Sequence, residues 1–85
     1  MRLPLIKNML DFVESHDEDY LIETAETLEH LTEVPSLKDS ELDAIGEVIS
    51  TIYGALEVKQ MMDKGIEKKD ALNQFMQRVL GSIGK

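Results

Sequence analysis

The chain has 85 residues, enough for one domain, and its lack of cysteine excludes disulfides, thiolate metal sites and cysteine nucleophiles. Its 17 acidic and 9 basic side chains give a formal net charge of −8, which disfavours binding to nucleic acid. The N-terminal run lacks the pattern of a signal peptide, and no stretch approaches the ~20 apolar residues of a membrane span. We therefore predict a single cytoplasmic domain over residues 1–85, with neither nucleic acid nor membrane as a partner.

The charge is distributed unevenly along the chain. Residues 1–58 hold 14 acidic and 3 basic side chains, whereas residues 59–85 hold 3 acidic and 6 basic ones. The net charges of the two segments are therefore −11 and +3. In the simpler interpretation the acidic segment keeps the protein in solution. In the functional interpretation it attracts a protein partner with a basic surface.

Two helices are predicted in the first part of the chain. The first begins at Pro4, a favourable first-turn residue, and ends near Ser15. The second follows Asp17, which is placed to cap it, and ends near Glu33. A single helix over residues 4–33 is the less favoured alternative. The apolar residues at helical spacing in these two segments are Ile6, Met9, Leu10, Val13, Leu21, Ile22, Ala25, Leu28 and Leu31.

Two more helices are predicted after a loop. The third covers residues 40–63, with Ser36 or Asp39 as its cap and Gly65 as the residue that ends it. The fourth covers residues 67–82, and its basic side is expected to pair with the acidic first half. The predicted core positions are Leu42, Ile45, Ile49, Ile52, Tyr53, Leu56, Leu72, Phe75, Met76, Val79, Leu80 and Ile83. The fold class is therefore all-α, a compact four-helix bundle-like domain, and the wide apolar arc of the third helix predicts that it lies centrally.

Two glycines lie inside the predicted third helix, where each costs about 1 kcal/mol relative to alanine. Gly46 and Gly54 form a ridge of small residues with Ser50, and such a ridge lets another helix approach closely. Gly46 is predicted to pack tightly within the chain. Gly54 is predicted to face outward, where either the helix bends or a second molecule packs. A homodimer that contacts through this ridge accounts for both glycines.

The two histidines raise the question of a metal site, because many acidic residues surround them. Glu26 and His30 are four residues apart and share a helical face, but the duplicated Glu-x-x-His motif of di-metal bundles is absent. His16 is predicted at a helix C-terminus, where the dipole favours it. Ser40 matches the modified serine of acyl carrier proteins only poorly. We predict no catalytic, cofactor-binding or metal-binding residue and no cofactor; the alternative is a metal-dependent or other small enzyme that uses Glu26, His30 and His16.

Three longer runs carry a resemblance: VPSLKDSELDAIGEVISTIYGALEV, KKDALNQFM and the closing VLGSIGK. Together they resemble a family of small, all-helical bacterial proteins of unknown function, over nearly the whole chain. The resemblance implies a compact helical protein and brings no activity with it. From the residues themselves we predict a non-catalytic protein–protein interaction or adaptor module. It is expected to be a homodimer that contacts through Gly46, Ser50 and Gly54.

Overall fold

The structure is a computed structural model that describes the backbone of residues 2–83 and the side chains of residues 2–79. These residues form four α-helices and no strand. The helices are α1 (Leu3–Ser15), α2 (Asp19–Leu31), α3 (Asp39–Asp63) and α4 (Lys68–Ile83). The prediction of an all-α bundle of four helices is therefore confirmed, and α1, α3 and α4 have nearly the predicted bounds.

The break between α1 and α2 lies at residues 16–18, so the single long helix considered as an alternative does not form. The backbone of His16 is extended, with φ −136° and ψ 172°. Asp17 acts on the next helix as predicted, because its Oδ1 accepts a hydrogen bond from the backbone N–H of Asp19 at 3.1 Å. The N-cap position itself is Glu18, and α2 ends two residues before the predicted Glu33.

The start of α3 differs in detail from the prediction. Its N-cap position is Lys38, and Asp39 is already the first helical residue. The backbone N–H of Lys38 donates a hydrogen bond to Oε1 of Glu41 at 2.8 Å. A glutamate at the third helical position can satisfy this amide, so the helix begins without Ser36 or Asp39 acting as the cap.

The end of α3 follows the prediction at Gly65. This residue has φ +103°, a left-handed conformation that glycine adopts without the steric penalty of a Cβ. Its N–H donates to the carbonyl of Met62 at 2.9 Å, and the N–H of Ile66 donates to the carbonyl of Met61 at 3.2 Å. These two bonds form a Schellman motif, which satisfies carbonyls that the helix leaves free.

α3 lies at the centre of the bundle, because each of the other three helices packs on it. α2 runs antiparallel to α3: Ile22 shares a recess with Leu56, and the Tyr53 hydroxyl donates to Glu29 at 3.1 Å. α4 returns along another side of α3, and the bundle is flat, with extents of 43 × 35 × 17 Å. The buried core consists of Ile6, Leu10, Val13, Leu21, Ala25, Ile52, Ala55, Leu56, Val58, Ala71, Leu72 and Phe75.

The core takes residues only from the second half of α3, which corrects part of the prediction. Leu42, Ile45 and Ile49 are only half-buried, and Tyr53 is 43% exposed. The apolar pattern of these residues is helical, but no neighbouring helix among the described residues covers the first half of α3 fully. The predicted core positions Leu80 and Ile83 lie outside the side chains that the structure describes.

The two glycines of α3 have environments opposite to those predicted. Gly54 is buried instead of facing outward, and it lines a recess together with Phe75 and Val79 of α4. α3 is unbroken there, so neither a bend nor a second molecule is needed: the chain's own α4 packs over this side. Gly46 is not tightly packed, since a Cβ at this position would meet no heavy atom of the described residues within 4 Å.

Candidate interaction surfaces

One long segment of the chain has no buried side chain. It covers residues 26–50, which are the second half of α2, the loop and the first half of α3, and we call it the arm. Its large apolar residues are Leu28, Leu31, Val34, Leu37, Leu42, Ile45, Val48 and Ile49. Within the described part of the chain, only Leu28 of these packs against the buried core. The arm therefore presents apolar side chains that its own chain covers only in part, and Leu31, Val34 and Val48 are exposed.

Hydrogen bonds hold the arm both at its loop and at its base. The loop between α2 and α3 is held by backbone hydrogen bonds from Val34 to Leu31 at 3.1 Å and from Leu37 to Val34 at 3.3 Å. At the base of the arm, Nε of Arg2 donates to Oε1 of Glu47 at 3.2 Å. The arm carries seven acidic residues against a single lysine, a net charge of −6 with histidine neutral.

The predicted contact ridge is divided between the arm and the bundle. Gly46, half-buried, and Ser50, exposed, belong to the arm. Gly54 lies beyond it and is covered by α4. The structure thus leaves Gly46 and Ser50 accessible to a partner and removes Gly54 from the candidate surface. The sequence predicted the ridge of small residues, but it did not predict that α4 packs beside Gly54.

A second surface lies between α1 and the first turns of α4. It is a groove of 590 Å³ with an apolar floor and a cationic rim. Its lining residues are Leu3, Lys7, Asp11, Lys68, Lys69, Leu72 and Asn73. Three of the chain's nine lysine and arginine residues thus meet at one place in a protein of net charge −8. Sequence reasoning missed this groove, because only the fold brings residues of α1 next to those of α4.

Lys68 fixes one side of the groove. Its Nζ donates to Oδ1 of Asp11 at 2.8 Å and to Oε1 of Glu14 at 2.7 Å. These hydrogen bonds, the one to Asp11 foremost, raise the pKa of Lys68 above its ordinary value of 10.5. Lys7 and Lys69 have no carboxylate within 4.0 Å among the described residues, so their charges remain available on the rim.

The predicted pairing of the basic side of α4 with the acidic first half is confirmed. Lys68 binds Asp11 and Glu14 of α1, and Arg78 forms an ion pair with Glu57 of α3. The three pairs are partly exposed to solvent, so each contributes little to stability by itself. They link α4 to α1 and α3, and Lys69 lies next to Lys68 at the groove.

The two histidines lie in different environments. His16 ends α1 as predicted, with Nδ1 3.0 Å from the carbonyl oxygen of Phe12. Its ring stacks on Phe12 with centroids 4.1 Å apart, and Tyr20 meets both rings edge-on at 5.8 Å. His30 is exposed, with Nδ1 3.9 Å from Oε1 of Glu33. The described residues contain no group of three His, Cys, Asp or Glu side chains that could hold a metal ion, so Glu26, His30 and His16 do not form such a site there.

The fold and these surfaces define a small all-α protein in which three helices pack around one long central helix. The chain belongs to a family of unknown function (DUF6952), whose sequence model matches residues 1–84. This match confirms the resemblance inferred from the sequence and covers nearly the whole chain. Neither a curated protein nor a solved structure shows a significant match. Of the helices that the structure describes, none has the length and apolar character needed to cross a membrane.

Proposed function

We propose that this chain is a non-catalytic protein–protein interaction module that acts as a homodimer, with the arm as its contact surface. The observation that carries the proposal is the uncovered apolar face of the arm. Leu31, Val34 and Val48 are 43%, 42% and 40% exposed. Exposed apolar side chains such as these favour association, since their removal from water is favourable by roughly 25 cal/mol per Å².

The shape of the chain supports a partner at the arm. An 85-residue compact domain has an expected radius of gyration of about 12 Å. The observed value is 13.8 Å, so the chain is less compact than expected for its length. A chain this short also buries a modest fraction of its surface, and oligomerisation is a common way to complete such a core.

Gly46 supports close approach of a second molecule. In a helix interior glycine is less favourable than alanine by about 1 kcal/mol, so its presence needs a compensating reason. No contact within the described residues supplies one, because the space beside Gly46 is open. Packing of a partner helix against Gly46 and Ser50 would supply it, since small residues allow helix axes to come close together.

The test is the mass of the assembly in solution, measured by light scattering during gel filtration. We expect the wild-type chain at twice the 9.6 kDa of one chain. Val48→Glu places a charge on the arm and is expected to give the monomer. The matched control is Ile22→Glu, because Ile22 is 38% exposed and lies on α2 outside the arm. We expect this control to remain dimeric.

Two results would contradict a homodimer that contacts through the arm. One is a monomeric wild-type chain at every concentration tested, and the other is a dimer that Val48→Glu leaves intact. Because the arm carries a net charge of −6, a basic protein surface is the other occupant that it suits. A monomeric chain that captures a partner in a salt-sensitive manner, and loses it with Val48→Glu, would assign the arm to that partner instead.

A further inference from the structure

We infer that the arm of one copy docks in the α1–α4 groove of the other, in an antiparallel dimer with two-fold symmetry. This inference rests on the proposed function and names the second half of its interface. The interface would then contain two equivalent contacts, each formed by one arm and one groove. It differs from the simpler dimer in which the two arms pair with each other.

The charges of the two surfaces are complementary. The arm has a net charge of −6, so an arm-to-arm dimer would place two strongly acidic surfaces against one another. The groove is mainly basic, because its lining contains Lys7, Lys68 and Lys69 and one carboxylate, that of Asp11. Asp11 is already hydrogen-bonded to Lys68, which leaves the charges of Lys7 and Lys69 to face an acidic partner surface.

The apolar parts of the two surfaces also match. The floor of the groove is formed by Leu3 and Leu72, and the rim is polar. Its volume of 590 Å³ lies within the range of about 300–1,000 Å³ that is usual for ligand sites, so it can receive several side chains. The arm offers such side chains in Leu31, Val34 and Val48, which are exposed and do not pack against the core of their own chain.

Because the arm and the groove lie on the same chain, two copies can exchange two equivalent contacts. The arm lies at the N-terminal end of α3, and the α4 side of the groove follows the C-terminal end of α3. The α1 side of the groove begins at Leu3, next to Arg2, which contacts the base of the arm. The 25 residues of α3 span about 37 Å at 1.5 Å per residue. In the proposed antiparallel pair of copies, each arm would meet the groove of the other. This arrangement closes as a two-fold dimer, the commonest symmetry of homo-oligomers.

The first experiment compares lysine substitutions by sedimentation equilibrium of the full chain. Lys7→Glu and Lys69→Glu are each expected to raise the dimer dissociation constant at least tenfold. The matched control is Lys64→Glu, which changes the same charge at an exposed position outside both surfaces and is expected to change the constant less than twofold. Circular dichroism verifies that each variant keeps its helical content.

The second experiment mixes two defective variants. In homodimers of Val48→Glu or of Lys69→Glu, both arm–groove contacts are damaged. In their heterodimer, the sound arm of Lys69→Glu meets the sound groove of Val48→Glu, so one contact is intact. We expect each variant alone to be mainly monomeric and the mixture to associate at least fivefold more tightly than either.

The outcomes separate this inference from the proposed function. If Lys7→Glu and Lys69→Glu dimerise like the wild type while Val48→Glu does not, the arms pair with each other. The groove inference is then wrong and the proposed homodimer stands. If Val48→Glu also dimerises like the wild type, both are wrong. If the mixture associates no better than its components, reciprocal docking is excluded.

Discussion

Gly46→Ala is expected to have opposite effects on the stability of the monomer and on the affinity of the dimer. Gly46 lies inside α3, and an added Cβ would meet no heavy atom of the described residues within 4 Å. The substitution therefore creates no clash in the monomer. Alanine is favoured over glycine in a helix interior by about 1 kcal/mol, so the monomer is expected to gain roughly 0.5–1 kcal/mol. For a domain of this size such a gain raises Tm by roughly 2–8 °C.

The dimer is expected to respond in the opposite direction. If a partner approaches closely at Gly46, the new methyl group occupies space that the partner needs, and the dissociation constant rises. The assay is urea unfolding at a concentration below the dissociation constant, combined with sedimentation equilibrium above it. Both regimes are needed, because the apparent stability of a dimer depends on concentration.

The control for this prediction is Gly65→Ala. Gly65 has φ +103° in the turn after α3, a conformation that costs an alanine about 1–2 kcal/mol. This variant is expected to be less stable and to keep the association of the wild type. A Gly46→Ala chain that is less stable than the wild type would refute the reasoning about open space. A chain that is more stable but dimerises unchanged would remove Gly46 from the interface.

Two further predictions concern the core and the ion pairs. Ile52→Ala should lower the free energy of unfolding by roughly 2–5 kcal/mol, because Ile52 is 1% exposed, whereas Val48→Ala should change it by less than about 0.5 kcal/mol in the monomer. Equal effects in urea unfolding would show that the arm is buried in the monomer. Lys68→Met should remove the hydrogen bonds to Asp11 and Glu14, at a cost below about 1 kcal/mol because they are partly exposed. The folded state raises the pKa of Lys68, so the stability that its hydrogen bonds contribute is present below pH 10.5 and is lost as the pH rises through the raised pKa. If the wild type and Lys68→Met still differed by the same free energy of unfolding above the raised pKa, the assignment would be wrong.

The periodicity of α3 illustrates how far a sequence pattern reaches. The wide apolar arc predicted a central helix, and α3 does contact all three other helices. The same arc predicted burial along the whole helix, yet only residues from Thr51 onward are buried. A helical period identifies which side of a helix is apolar. It does not identify what covers that side, and for Ile45 and Ile49 the described chain offers no full cover.

The sequence by itself determined the number and order of the helices and most of their bounds, but not the cap of α3. Pro4, Asp17 and Gly65 act through hydrogen bonds and dihedral preferences that span only a few residues, so their effects could be predicted without knowledge of the fold. The family resemblance was also carried by the sequence alone, and the match over residues 1–84 agrees with it.

Only the tertiary structure decided which surfaces are covered. The burial of Gly54 depends on where α4 returns along α3, and the openness of Gly46 depends on where that cover ends. The groove likewise depends on the contact between Lys68 and Asp11, which are 57 residues apart in the chain. The ends of helices depend on interactions between near neighbours, whereas the choice of packing partner depends on the shape of the whole chain. The arm and the groove, on which the proposed dimer depends, are therefore products of the fold.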